Sequence, residues 1–165
     1  MSGKEERETT SVSETTKKVE KFLKESFGNA FKKARGKPIF VGRSGSTIVY
    51  ISIIEWDSDT LVNVFAFVVS GATVTPELME FLLEENHVLR FGAFSLDGEG
   101  NIIFRHSLVG STLDKKELES AVYAVALTAD EYDDIIAKEF GGLRAIDQVE
   151  LMDETEDLDW GDSES

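Results

Sequence analysis

Gly42-Arg43-Ser44-Gly45-Ser46 is the first stretch whose residue types could do chemistry. A serine nucleophile on a strand–turn–helix elbow needs Gly-x-Ser-x-Gly, but here Gly45 comes one place early and Ser46 takes the final position. A phosphate loop needs Gly-Lys-Ser/Thr at the start of a helix, whereas Ser46 is followed by a β-branched run. A hairpin turn accounts for the stretch better than either. Asp97-Gly98-Glu99-Gly100-Asn101 has the flavour of a calcium loop. An EF-hand wants glycine at the sixth place and glutamate at the twelfth, and those places hold Ile102 and Leu108. His106 shares its alternating face with Phe104 and Leu108, which suits a packed histidine better than a general base, and His87 falls at a helix C-terminus, where the dipole favours its charged form. An enzyme built on carboxylates, metal-assisted or not, would use Asp130 and Asp134, one helical turn apart, or Glu55. A solvated helix face is the plainer account of the acidic run Asp130, Glu131, Asp133 and Asp134. No catalytic residue, metal ligand or cofactor is therefore assigned.

The elements that carry these residues follow from periodicity. Val19, Phe22, Leu23, Phe27, Ala30, Phe31 and Ala34 recur at steps of three and four, which predicts a helix that Gly28-Asn29 ends or kinks and Pro38 forbids from continuing. Ile39–Val41, Thr47–Trp56 and Leu61–Val69 read as strands joined by turns at 42–46 and 57–59. Thr75 and Pro76 open a second helix as N-cap and first helical residue. The stretch Arg90 to Asp114 then reads as a hairpin, its arms alternating about the turn Asp97–Asn101, followed by a long helix to Phe140. Asp114 and Glu117 have capping-box spacing, and Gly141-Gly142 closes that helix. The expected fold is α+β, with a twisted antiparallel sheet of about five strands and three helices in the order α-β-β-β-α-β-β-α. The expected limits are a disordered 1–11, one domain over 12–142, and an acidic, disordered tail over 143–165.

Composition narrows the classes. A length of 165 residues suits one domain, and the absence of cysteine excludes disulfides and thiolate chemistry. No apolar run approaches the ~20 residues that span a bilayer, and the start Met1-Ser2-Gly3-Lys4 leads into no apolar stretch, so the expected compartment is the cytoplasm. Residues 1–37 carry ten Lys/Arg against six Asp/Glu, while residues 38–165 carry seven against twenty-six. Such an acidic body repels phosphate backbones, so no nucleic acid is expected as partner, and no membrane.

From about Pro76 to Ile136 the chain resembles the YbjN family. The likeness is carried by Leu89-Arg90-Phe91-Gly92-Ala93-Phe94-Ser95-Leu96-Asp97, Gly100-Asn101-Ile102-Ile103, Arg105-His106-Ser107-Leu108, Leu113-Asp114, Glu117-Leu118 and Ala129-Asp130-Glu131-Tyr132-Asp133. The resemblance implies a fold like that of class I type III secretion chaperones, small acidic α+β proteins that are usually dimeric. It implies a non-enzymatic, chaperone-like or regulatory role and carries over no catalytic residue. The basic first segment and the long acidic tail depart from the family pattern.

Both alternating faces of the strands are apolar, whereas antiparallel sheets commonly leave one face in water. The expectation is a homodimer that binds an extended segment of a protein partner, through side-chain pockets and strand addition at an exposed edge. The contacts expected on one face are Ile48, Tyr50, Ile54 and Trp56, or their neighbours on the other face. The period of two does not decide which face the helices cover. In the tail, Leu158 and Trp160 belong either to a solubilising segment or to an acidic linear motif that docks on an apolar groove. The alternatives are the carboxylate enzyme above and a structural subunit of a permanent complex.

Overall fold

Two-residue turns set the register of the central sheet. Ser44 faces Thr47 across Gly45-Ser46, and Trp56 faces Asp59 across Asp57-Ser58. Gly45 has φ 60 and Asp57 has φ 54, the left-handed backbone that such tight hairpins demand. The computed structural model describes residues 9–148. Within them the order is α1 (Val12–Phe27), β1 (Phe31–Lys33), β2 (Ile39–Ser44), β3 (Thr47–Trp56), β4 (Asp59–Ser70), α2 (Pro76–Val88), β5 (Ala93–Leu96), β6 (Ile102–Val109), α3 (Lys115–Phe140) and β7 (Leu143–Arg144). The strands form one sheet in the order β1-β2-β3-β4-β6-β5, with β7 paired to β4. All pairings are antiparallel.

The helix starts lie where the capping residues are. Ser11 and Glu14 form a capping box on α1, Asp114 and Glu117 form another on α3, and Thr75 accepts from the Leu78 amide with Pro76 in the first turn of α2. Each box satisfies two of the backbone N–H groups that a helix start leaves unpaired.

The α+β class and the antiparallel sheet hold, but the sheet has seven strands rather than five. Ala30, Phe31 and Ala34 do not continue the first helix. Gly28, at φ 59, turns the chain back, and Phe31–Lys33 becomes β1. The Phe31 ring then lies over Gly42, so close that a Cβ there would meet it at 2.7 Å. It also stands edge-on to Phe27, 5.6 Å away. The helical spacing of Phe27 and Phe31 is thus satisfied across a turn. The second addition is β7, whose Leu143 and Arg144 pair with Ser70 and Val69. Residues 143–148, grouped with the tail by composition, carry this strand, a helical turn from residue 145 and a buried Ile146. Ser11, grouped with the polar start, is the α1 cap.

The core lies on one side of the sheet. Val49, Ile51 and Ile53 of β3, Val62, Val64, Ala66 and Val68 of β4, and Ile102 and Phe104 of β6 are buried there. They pack against Val19 and Leu23 of α1, Leu78 and Leu82 of α2, and Leu118, Val122, Val125, Ala129 and Ile136 of α3. α1, α2 and α3 all cover that one face, and a further helical segment, beyond the three expected, begins at residue 145.

Candidate functional site

Among the described residues no helix lies over the other alternating set of strand residues. Register places Ile39, Val41 and Arg43 of β2 beside Ile48, Tyr50 and Ser52 of β3. Next come Leu61, Asn63, Phe65 and Phe67 of β4, then Ile103, Arg105, Ser107 and Val109 of β6. Ile48, Tyr50, Ile54 and Trp56 all fall on this helix-free face, and Ile54 and Trp56, at its end, are about half exposed. At its centre Tyr50 stacks on Phe65, ring centroids 5.3 Å apart and 14° from parallel, and Phe67 stands edge-on to both. The aromatic neighbours strip water from the Tyr50 phenol, and this burial raises its pKa. Ile48, Tyr50, Phe65 and Phe67 are partly buried, and Ile54, Trp56 and Val109 are exposed around them, which makes this face a candidate binding surface.

Phe65 and Phe67 were legible as strand residues but not as members of the site. The signal that would have found them is the turn Asp57-Ser58, which fixes Tyr50 opposite Phe65 once Trp56 is set opposite Asp59. Leu158 and Trp160 lie outside the described residues.

Both sheet edges are guarded. β1 is three residues long and carries exposed Lys32 and Lys33, a combination that discourages strand addition. At β5 the Asn86 side chain accepts from the Phe94 amide at 2.7 Å and donates to the Phe94 carbonyl at 3.2 Å, taking the place of a neighbouring strand. The face offers more than the edges.

The chemistry-bearing side chains are spent on structure. Asp97 holds its own turn, and hydrogen bonds, chiefly from Asn101, keep its carboxyl below the usual range. His106 is half-buried on the helix side with its ring edge-on to Phe91 at 5.8 Å, and burial lowers its pKa. His87 is exposed in the last turn of α2. Asp134 pairs with Arg144 at 2.9 Å, while Asp130 accepts from the Ser46 amide at 3.1 Å. Ser46 precedes β3 and Glu55 lies near its far end, about 30 Å along the strand. Asp130 and Glu55 therefore do not converge. Among the described residues no group of three or more His, Asp and Glu is arranged to hold a metal ion.

The Ser46 cluster makes a measurable prediction. Ser46 Oγ lies 2.5 Å from Asp130 Oδ1 and 2.8 Å from Asp133 Oδ2. A hydroxyl has one hydrogen, so Ser46 shares a single donor between the Asp130 and Asp133 carboxyl groups. Asp133 is 3% exposed, its Oδ1 has no partner among the described residues, and burial raises its pKa. A raised folded-state pKa means a contribution that is fully present below the unfolded value and lost as pH rises through the folded one. Asp133→Asn, neutral at every pH and itself a donor, should therefore stabilise the chain at pH 7 by about 1 kcal/mol, or 2–4 °C in Tm. Thermal unfolding at pH 7 and pH 4.5 checks this. The gain should shrink at the lower pH.

A helix-backed antiparallel sheet that leaves one apolar face uncovered among the described residues is a scaffold suited to binding. The profile described as "T3SS (YopN, CesT) and YbjN peptide-binding chaperone 1" matches residues 13–148. The chain belongs to that family of peptide-binding chaperones. Among solved structures, the ExsC–ExsE complex superposes with a TM-score of 0.59 at 11% identity, covering 77% of this chain and 96% of that one. The Yersinia pestis type III secretion chaperone SycH, in complex with a stable fragment of YscM2, gives 0.54 at 14% identity, covering 71% of this chain and 98% of that one. No curated protein sequence matches the chain. No described helix is long and apolar enough to cross a membrane.

Proposed function

We propose that this protein is a non-enzymatic, cytoplasmic chaperone that works as a homodimer and holds an extended segment of a partner protein on the helix-free sheet face. The observation that carries the reading is the Tyr50–Phe65–Phe67 cluster, continued by Ile48, Ile54 and Trp56, on a face with no helix over it among the described residues. Alternate side chains of an extended segment suit the pockets between such strand residues. The complex of SycH with a fragment of YscM2 is a precedent for a protein fragment as partner. Glu55 lies far from Asp130, Asp134 is paired with Arg144, and Asp130 and Asp133 are both engaged by Ser46, which speaks against the carboxylate enzyme. A face too broad for one segment leaves room for a second copy, and the homodimer and the compartment follow the resemblance to secretion chaperones.

An array of overlapping peptides of about fifteen residues, rich in apolar side chains, tests the reading. Peptides that bind should shift the amide resonances of Ile48, Tyr50, Phe65 and Phe67 in the labelled chain. Shifts confined to the three helices, or an array without a single binder, would overturn it.

A further inference from the structure

The helix-free face carries a charge opposite in sign to the net charge of the chain. The chain has 32 Asp/Glu against 17 Lys/Arg. Yet the register puts three exposed cations on this face, Lys32, Arg43 and Arg105, around the aromatic cluster. Arg105 lies directly across from Phe65. Asp59 is the carboxylate that the same register assigns there among the described residues, and it sits at the far end, bound to Thr60 and Ser111. An apolar centre ringed by cations selects a segment that mixes apolar side chains with carboxylates and lacks cations of its own.

Such a segment is present in this chain. Residues 149–165 carry eight Asp/Glu, no Lys or Arg, and the apolar Leu151, Met152, Leu158 and Trp160. β7 borders this face at one end of the sheet, four residues before the described chain ends in a helical turn whose Asp147 pairs with Arg144. β3 first pairs with β4 at Val49–Ala66, and beyond that point β7 pairs with β4 at Val69 and Ser70. Arg144 reaches Asp134 on the helix side, so alternation points Leu143, 42% exposed, to the open side. Seventeen residues reach up to about 60 Å, whereas β4, the longest strand, spans about 40 Å. The whole face is within range, and attachment through a short connection supplies a millimolar effective concentration, so weak contacts suffice.

We propose that residues 149–165 occupy the helix-free face through Leu158, Trp160 and their neighbouring carboxylates, and that a partner segment must displace them. This rests on the reading of that face given under Proposed function and adds its regulation. The tail is an internal competitor that favours partners able to outbid it.

The experiment compares amide spectra of the intact labelled chain with those of Leu158→Ala/Trp160→Ala and of Arg43→Gln/Arg105→Gln. The expected result is that both variants shift Tyr50, Phe65 and Phe67 in the same direction, and that raising salt does likewise to the unaltered chain. A synthetic peptide of residues 149–165 should then bind the Leu158→Ala/Trp160→Ala chain at least tenfold more tightly than the unaltered one. Differences confined to residues 149–165 would overturn the proposal, as would shifts that grow with protein concentration, which would assign the face to a second copy's tail. The outcomes separate this proposal from the reading it rests on. Array peptides that bind both chains equally, with shifts on the face, would remove the competitor and keep the chaperone. Tail-dependent shifts with no array binder to either chain would do the reverse.

Discussion

Phe65→Ala is expected to weaken binding of an array-selected peptide by about 30-fold, the equivalent of about 2 kcal/mol. Phe65 is the middle of the helix-free face. It stacks on Tyr50, meets Phe67 edge-on and lies across from Arg105. Residues at the centre of a contact surface, shielded from water by a surrounding rim, carry most of the affinity when they are aromatic. Removing the ring also strips Tyr50 of its support, so Tyr50→Ala and the double variant should be less than additive. The fold should persist, because Phe65 is only partly buried and the helix-side core residues Val64 and Ala66 are untouched. Leu127→Ala is the control. Leu127 is 66% exposed on α3, on the helical layer, and its loss should leave affinity unchanged. Fluorescence anisotropy with a labelled peptide reads both. Equal affinities for the Phe65 and Leu127 variants would remove the face from the binding surface.

Gly110→Ala should cost about 3 kcal/mol of stability, a fall of about 6–12 °C in Tm. Gly110 follows β6 and approaches β4 so closely that a Cβ there would lie 1.8 Å from Thr60 Oγ1 and 3.1 Å from Thr15 Cγ2. Its amide donates to the Thr60 carbonyl at 2.7 Å, and its own carbonyl accepts from Lys18 Nζ at 2.6 Å. The Thr60 hydroxyl is hydrogen-bonded to that of Thr15, 2.7 Å away and fully buried. A methyl group at Gly110 has to push Thr60 aside, which breaks a buried hydrogen bond that ties α1 to β4. Thr60→Ala removes the obstructing oxygen, so the double variant should lose less than the sum of the singles. Denaturant unfolding of the four proteins completes the cycle. A loss below about 0.5 kcal/mol for Gly110→Ala would mean that the connection to α3 simply backs away.

Much of this molecule was legible because its signals are local. Thr75 with Pro76, Asp114 with Glu117, and the turn residues Gly45, Asp57 and Gly100 each act within about four residues, and each lies where its chemistry requires. The strand Thr47–Trp56 could be read to the residue for the same reason. Phe31 and β7 could not. The helical spacing of Phe31 was real but was used across a turn, against Phe27 and Gly42, and a two-residue strand such as Leu143–Arg144 has no period to detect. Asp133 looked like one more solvated acid in a run of four, and its burial against Ser46 depends on a hairpin tip 87 residues away.

The stretch from Arg90 to Asp114 offered the sharpest chemical temptations, a calcium-like turn and a histidine. The turn uses its own carboxylate, and the histidine is packed on the helix side. What the residues determined by themselves was a chain of antiparallel strands apolar on both sides, an acidic body, and capped helices to cover part of it. Alternation with a period of two is symmetric between the faces, so it names Ile48, Tyr50, Ile54 and Trp56 as one set and Val49, Ile51 and Ile53 as the other without ranking them. Only the tertiary structure breaks that symmetry. Once α1, α2 and α3 pack on the side of Val49, Ile51 and Ile53, the aromatic set is left open. The same register gathers Lys32, Arg43 and Arg105, far apart in sequence, around it.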